Sequence, residues 1–233
     1  MSPNRNDFGA KFANAKGKIV EIMRNKMVKH LMTALLIIVA APFVKAQVHV
    51  GDILCEDGAV VSPANLVISE HNAIGVVFYV DATKQHGWAV GLKDLGEYSW
   101  GPNSKDTPLR NCSSRQQALN DLDGYSNTKT IIEGGYDIPF PAFDSLDFEN
   151  GWYLPAIGQL KRLYSKLDKV DESLSAVGGT PFSNNGEWEY WSSTENYICN
   201  AWFIDSFGKL HYKDYSFNGD KDGRRFVRGV KDF

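Results

Sequence analysis

The sequence predicts an α+β fold with a single core. Two segments place apolar residues at helical spacing, short apolar runs bounded by turn residues flank them, and the second half is rich in strand-like aromatic segments. No low-complexity stretch or internal repeat interrupts residues 47–233, which therefore read as one domain.

The elements follow in chain order. A short strand starts at 51–54, and Asp57-Gly58 turns the chain. Residues 74–80 are apolar on both alternating faces, the pattern of a central buried strand. Residues 81–87 turn and 88–92 return, predicting a hairpin. Ser113 and Gln116 have capping-box spacing before Ala118, Leu119 and Leu122, and Gly124 is the expected stop of this first helix. Pro155 suits the first turn of a second helix, with Ile157, Leu160, Leu163, Tyr164 and Leu167 on its apolar face. The stretch 168–187 is mostly polar, with Gly178-Gly179-Thr180-Pro181 in its middle. Four short strands are expected at 188–193, 201–206, 209–212 and 225–230.

The net charge of −3 conceals an asymmetry. Residues 1–46 hold eight of the 25 basic residues and two of the 28 acidic ones. That leaves 17 bases against 26 acids in 47–233, a net charge of −9. An acidic domain is poorly suited to neutralising phosphates, so nucleic acid is not an expected partner. The basic start reads as targeting. Lys29 and His30 precede an apolar run from Leu31 to Val44, and Val44-Lys45-Ala46 ends in a small residue where a signal peptidase would cut. The run is too short for the roughly 20 residues of a membrane-spanning helix, so no stable span is expected. Residues 27–46 are thus the expected signal peptide, and 47–233 the exported chain. Residues 1–26 are long and polar for such a leader; translation starting at Met27 accounts for them. The alternative reading is a retained anchor with a cytoplasmic tail.

Export places Cys55, Cys112 and Cys199 in an oxidising compartment, where one intramolecular pair at most can form. Cys55–Cys112 is the favoured pair. The spacings match no zinc pattern.

Four segments together resemble a known family: Gly75-Val76-Val77-Phe78-Tyr79-Val80-Asp81, Gly151-Trp152-Tyr153-Leu154-Pro155, Tyr190-Trp191-Ser192-Ser193-Thr194-Glu195, and Ala201-Trp202 with a closing Val227-Arg228. They are similar to the exported bacterial domains that also form the C-terminal domain of collagen-like adhesins of the Lcl type. The resemblance covers nearly all of 47–233 and implies a C-type-lectin-like fold and a role in adhesion or ligand binding, with a protein or glycan as partner. Physically, Trp152 and Leu154 are expected to pack beneath the following helix, and Trp188, Tyr190, Trp191 and Trp202 to supply large buried surfaces. Ser192, Ser193 and Thr194 are expected to make structural hydrogen bonds. Arg228 either pairs with an acid or extends toward solvent.

Catalytic chemistry finds little support. His49, His71, His86 and His211 lie in no nucleophile or base motif and read as ordinary turn or strand residues. Calcium-binding lectins carry Glu-Pro-Asn or Gln-Pro-Asp with Trp-Asn-Asp, which this chain lacks. Asn218-Gly219-Asp220-Lys221-Asp222-Gly223 imitates half a calcium loop, but position 229 is Gly where the closing Glu would stand; a polar turn is the better reading. No cofactor is called for. An enzyme of the related formylglycine-generating type is the runner-up reading, although its chemistry needs a pair of reactive cysteines and the cysteines here are isolated; a structural surface component is the other alternative.

The segment 196–233 contains no Glu, Gln, Met, Thr or Pro. This bias resembles the variable segments of C-type-lectin-like proteins diversified by retroelements, where adenines of Asn codons are replaced. A strand-and-turn segment of skewed composition accounts for it equally. On a strand, Phe203 and Asp205 share the face opposite Trp202 and Ile204. If the latter pair face the core, Asn196, Tyr197, Asn200, Phe203, Asp205, His211, Tyr212, Asp214 and Tyr215 are the expected ligand-binding patch.

Overall fold

Strand β3 (Ala73–Val80) organises the first sheet, because it is apolar on both sides: Val76 and Phe78 enter one cluster of buried residues and Val77 another. The computed structural model describes residues 17–18, 20–26, 47–66, 70–103, 105–182, 187–212 and 220–233. The chain divides into two units, Met1–Ala46 and Gln47–Phe233. In the first, residues 20–26 are helical; the expected signal peptide at 27–46 lies outside the described residues. Among those described, no helix is long and apolar enough to cross a membrane.

The second unit is mixed α+β. Its strands are β1 (Ile53–Cys55), β2 (Val60–Val61), β3, β4 (Gly87–Gly91), β5 (Gly96–Ser99), β6 (Glu189–Tyr197), β7 (Asn200–Asp205), β8 (Leu210–His211), β9 (Arg224–Val227) and β10 (Val230–Asp232). They form two five-stranded sheets, in the orders β10-β4-β3-β1-β2 and β5-β9-β6-β7-β8. Every named strand pair is antiparallel except β6 with β9. The expected hairpin is β3–β4, with Val80 opposite Gly87. The last predicted strand is two. β9 pairs in the second sheet and β10 in the first, so the chain changes sheets at Arg228-Gly229.

Between the two groups of strands lie α1 (Arg115–Leu119), α2 (Gly124–Ile132), α3 (Pro141–Asp144), α4 (Ile157–Tyr164) and α5 (Leu167–Ala176). The sequence predicts only α1 and α4. The capping box of α1 is Ser114 with Gln117, one residue beyond the predicted pair. Gly124 does not stop a helix but starts α2, behind the Asp123 cap, whose carboxylate accepts the Ser126 amide at 2.9 Å. A Cβ at Gly124 would stand 2.5 Å from the Leu154 carbonyl oxygen, so tight packing, not chain termination, requires glycine there. The polar stretch after 167 is helical because Val170, Ser173 and Leu174 form a narrow buried stripe, too sparse to read as an apolar face.

One large cluster of buried residues joins α4, α5 and the facing sides of both sheets, with Phe78, Leu160, Leu174, Tyr190 and Trp202 among its members. A second contains Trp100, Phe143, Leu154, Trp191, Phe203 and Val227. The second sheet is therefore covered on both sides. Buried indole N–H groups need partners, and those of Trp100, Trp191 and Trp202 have them. Trp100 donates to the Ser192 carbonyl at 2.8 Å, Trp191 to Tyr98 at 2.9 Å and Trp202 to Cys112 at 2.8 Å.

Two of the resembling segments, 151–155 with the helix that follows it and 190–195, are physically joined. Thr194 Oγ1 on β6 accepts the Ile157 amide at 2.9 Å, capping α4 from outside its own segment, and donates to Asp121 at 2.7 Å. Ser192 Oγ donates to the Trp202 carbonyl, and the Ser193 amide to that of Pro155. These three residues make the structural bonds expected of them. Leu154 is buried as predicted, whereas Trp152 is only half-buried and lies on the backbone of Gly75, Gly91 and Gly229 rather than under the helix. Arg228 is buried. It donates to the carbonyls of Gly91, Leu92 and Thr180 and has Asp94 at 3.6 Å, so pairing, not extension to solvent, describes it.

Candidate ligand-binding surface

The turn between β7 and β8 begins at Asp205, whose carboxylate ties it together. It accepts the amides of Phe207 at 2.9 Å and Lys209 at 2.8 Å, and meets His211 Nε2 at 2.8 Å. Burial raises the Asp205 carboxyl, but these hydrogen bonds outweigh it and hold the group below the ordinary carboxylate range. Gly208 adopts φ 71°, which disfavours any side chain, and a Cβ there would lie 2.2 Å from the Tyr164 ring. Lys161 on α4 donates to the Gly208 carbonyl at 2.8 Å. The turn is thus braced from inside by Asp205 and from below by α4. At its tip Phe207 is 77% exposed.

Beside this tip lies an open cleft of about 420 Å³, lined in part by Glu97, Glu187, Glu189, Asp205, Phe207 and Arg224. Its floor is built by β9. The Arg225 guanidinium is buried 3.7 Å from the Phe203 ring centre and 4.1 Å from that of Trp191, and its Nε pairs with Glu189 at 2.9 Å. Arg224, its neighbour on the opposite face, is exposed. The cleft offers carboxylates, a guanidinium and an aromatic edge, the mixture that fixes a polar ligand's orientation while supplying contact area.

The structure divides the predicted patch. Phe203 is 1% exposed, stacked on His211 with ring centres 5.1 Å apart, so the expectation that it faces solvent is wrong. Alternation correctly set Phe203 opposite Trp202; the second buried cluster covers the face that sequence left open. Asn196 is also buried, its amide donating to the Cys112 carbonyl at 3.0 Å. Tyr197, 63% exposed, and Asn200 sit at the β6–β7 turn, and Asn200 donates to Asp220 at 3.2 Å. Asp205 lies at the other end of β7, roughly 17 Å away along a strand of this length. His211 and Tyr212 follow on the β8 side, with Tyr212 exposed and its ring 4.6 Å from Trp202. Asp214 and Tyr215 lie outside the described residues. Phe207, Glu187, Glu189 and Arg224 are the surface groups that sequence reading missed. The Asp205-Ser206-Phe207-Gly208 run was the available signal, since Asp and Gly so spaced specify a tight turn that displays the residue between them.

The favoured Cys55–Cys112 disulfide is not formed: all three cysteines are free, and these two are packed in the main cluster. Of the calcium-like run, Asn218 and Gly219 lie outside the described residues, and 220–223 form a turn. Gly223 closes on the Asp220 carbonyl at 2.9 Å, while Lys221 points into the protein.

A crystal structure of a fimbrial protein from Bacteroides ovatus is similar to this chain, with a TM-score of 0.63 at 20% sequence identity, covering 80% of this chain and 49% of that one. The likeness is one of fold, and this chain spans about half the length of that protein. No family model matches the sequence, and no curated protein does.

Proposed function

We propose that this chain is an exported ligand-binding or adhesion module with a C-type-lectin-like fold, akin to the C-terminal domains of collagen-like adhesins, and that it binds a protein or glycan through the β7–β8 turn and the adjoining cleft. The observation that carries this reading is the presentation of Phe207. A large aromatic exposed at a turn tip contributes nothing evident to the core, yet three hydrogen bonds to Asp205 and the Lys161 clamp hold that tip in one conformation. Rigid exposed aromatics bind with little loss of conformational freedom. The basic, apolar leader at 27–46 supports export, and similarity in fold to a fimbrial protein is compatible with a place at the cell surface.

The test is a screen of labelled 47–233 on glycan arrays and immobilised surface proteins. Phe207→Ala and Arg224→Ala should each abolish the strongest signal, while Leu95→Ala, outside the cleft, should preserve it. Signals indifferent to both cleft substitutions would overturn the assignment, and no ligand at all would favour a structural surface component. Intact-mass analysis of the exported protein should find its first residue near Gln47; retention of 31–44 would refute cleavage there.

A further inference from the structure

Far from that turn in the chain, the end of β1 brings together three side chains of metal-ligating type. The chain reverses immediately after Cys55. Its amide donates to the Ala59 carbonyl at 2.9 Å, its carbonyl accepts the Gly58 amide at 3.0 Å, and the Asp57 carboxylate accepts the Ala59 amide at 3.0 Å. The Glu56 amide then donates to the Asn72 carbonyl at 2.9 Å, lacing this turn to the approach of β3. In the β1–β3 register Cys55 lies opposite Ala73, so His71, two residues earlier, arrives beside the turn. Its Nδ1 lies 2.8 Å from Asp57 Oδ2, and the cysteine sulfur, the imidazole nitrogen and the carboxylate oxygen all fall within 4.8 Å of one another. Cys55 is buried, His71 half-buried and Asp57 exposed, so the group runs from the core to the surface.

We propose that Cys55, Asp57 and His71 form a binding site for a zinc-class divalent cation. The donor set is one sulfur, one nitrogen and one oxygen. Calcium and magnesium take oxygen ligands almost exclusively, whereas thiolate with imidazole selects zinc and its neighbours. Bonds of about 2.0–2.3 Å in a tetrahedron place donor atoms roughly 3.3–3.8 Å apart. To reach that spacing His71 and Asp57, now 2.8 Å apart, must separate, and the Cys55 sulfur must come within about 3.8 Å of both. Binding breaks the thiol S–H bond of Cys55, releases its proton to solvent and forms the sulfur–metal bond. Three protein ligands leave a fourth position for water. The cation would fasten the turn at 56–59 to the start of β3 in the first sheet. The proposed ligand surface belongs to the second sheet, so neither proposal depends on the other.

Cobalt(II) is the probe. Reduced, metal-free 47–233 should take up one equivalent and develop the visible bands of tetrahedral cobalt with an intense near-ultraviolet thiolate-to-cobalt band; zinc should abolish both. His71→Ala and Asp57→Asn, at surface positions outside the core, should each weaken cobalt binding at least about tenfold, the loss that an outer-shell partner alone can cause. Cys55→Ser should remove the charge-transfer band, and Cys199→Ser should keep it. Because Cys55 is buried, the two surface variants decide the matter if its serine variant does not fold. Absence of the band in the unmodified chain, unaltered affinity in His71→Ala, or loss of the band in Cys199→Ser would each overturn the site.

Discussion

Glu195 and Lys221 form an ion pair in which neither side chain has any exposed surface. Thr107 Oγ1 donates to the second carboxylate oxygen at 2.7 Å, Lys221 Nζ also donates to the Lys105 carbonyl at 3.0 Å, and the ammonium lies 4.7 Å from the Trp100 ring centre. Burial pushes the Glu195 carboxyl up and the Lys221 ammonium down, and the bonds between them oppose both shifts. The pair anchors the turn before β9 to the β6 segment on which the resembling motif lies.

Lys221→Met should therefore cost about 3–5 kcal/mol, because it strands a buried carboxylate. The double variant Glu195→Gln, Lys221→Met should cost less than that single change, since no charge is left unpaired. Urea unfolding at neutral pH measures both. A single variant as stable as the parent would show that the pair contributes nothing to holding the turn.

Phe203 and Phe207 lie four residues apart but should respond oppositely. Phe203→Ala removes a buried ring and should cost about 3–5 kcal/mol. Phe207→Ala should change stability by less than about 0.5 kcal/mol. Thermal and chemical melts distinguish them, and equal losses would contradict the exposed tip.

The Asp205 carboxylate should impart acid-sensitive stability. Its folded pKa lies below the unfolded value of about 3.9, so its contribution is complete above that value and lost as pH falls through the folded one. The stability difference between the parent and Asp205→Asn should be large near about pH 6 and shrink by about pH 3. Unfolding curves at the two pH values test this; a constant difference would mean that the carboxylate's charge is not what stabilises the turn.

Gly208→Ala should lose about 1–2 kcal/mol from the left-handed backbone alone, and more from its collision with Tyr164. The Phe207 tip would then shift away from α4. Nuclear magnetic resonance shifts confined to 205–211 and to Tyr164, with the rest of the domain unchanged, are the expected signature.

Much of the fold was legible because local patterns and tertiary packing agree. The doubly apolar run at 74–80 is a central strand, the turn after it closes a hairpin, and Pro155 precedes a helix with its apolar stripe inward. Agreement failed where a residue's role is set by distant neighbours. Gly124 carries the signature of a helix end, but it follows the Asp123 cap at the start of a helix, and the nearby Leu154 carbonyl leaves no room for a Cβ. Lys221, in a run of polar turn residues, points inward because Glu195 waits there, 26 positions earlier in the chain. His71 has no motif of its own; only the β1–β3 register brings it to Cys55 and Asp57.

The strand β7 separates the two kinds of information most cleanly. Alternation of side chains along a strand is a local property of extended backbone, so the sequence by itself determined that Trp202 and Ile204 lie on one face and Phe203 and Asp205 on the other. It also determined an α+β chain whose 47–233 portion is acidic and rich in aromatics. Which face meets solvent is not local. It depends on the cluster of Trp100, Phe143 and Trp191, and on Arg225 stacked against Phe203, all supplied by other parts of the chain. Only the tertiary structure decided that both faces are covered and that Phe207, not Phe203, is exposed, because burial follows from what other segments bring to a strand and not from the strand's own pattern.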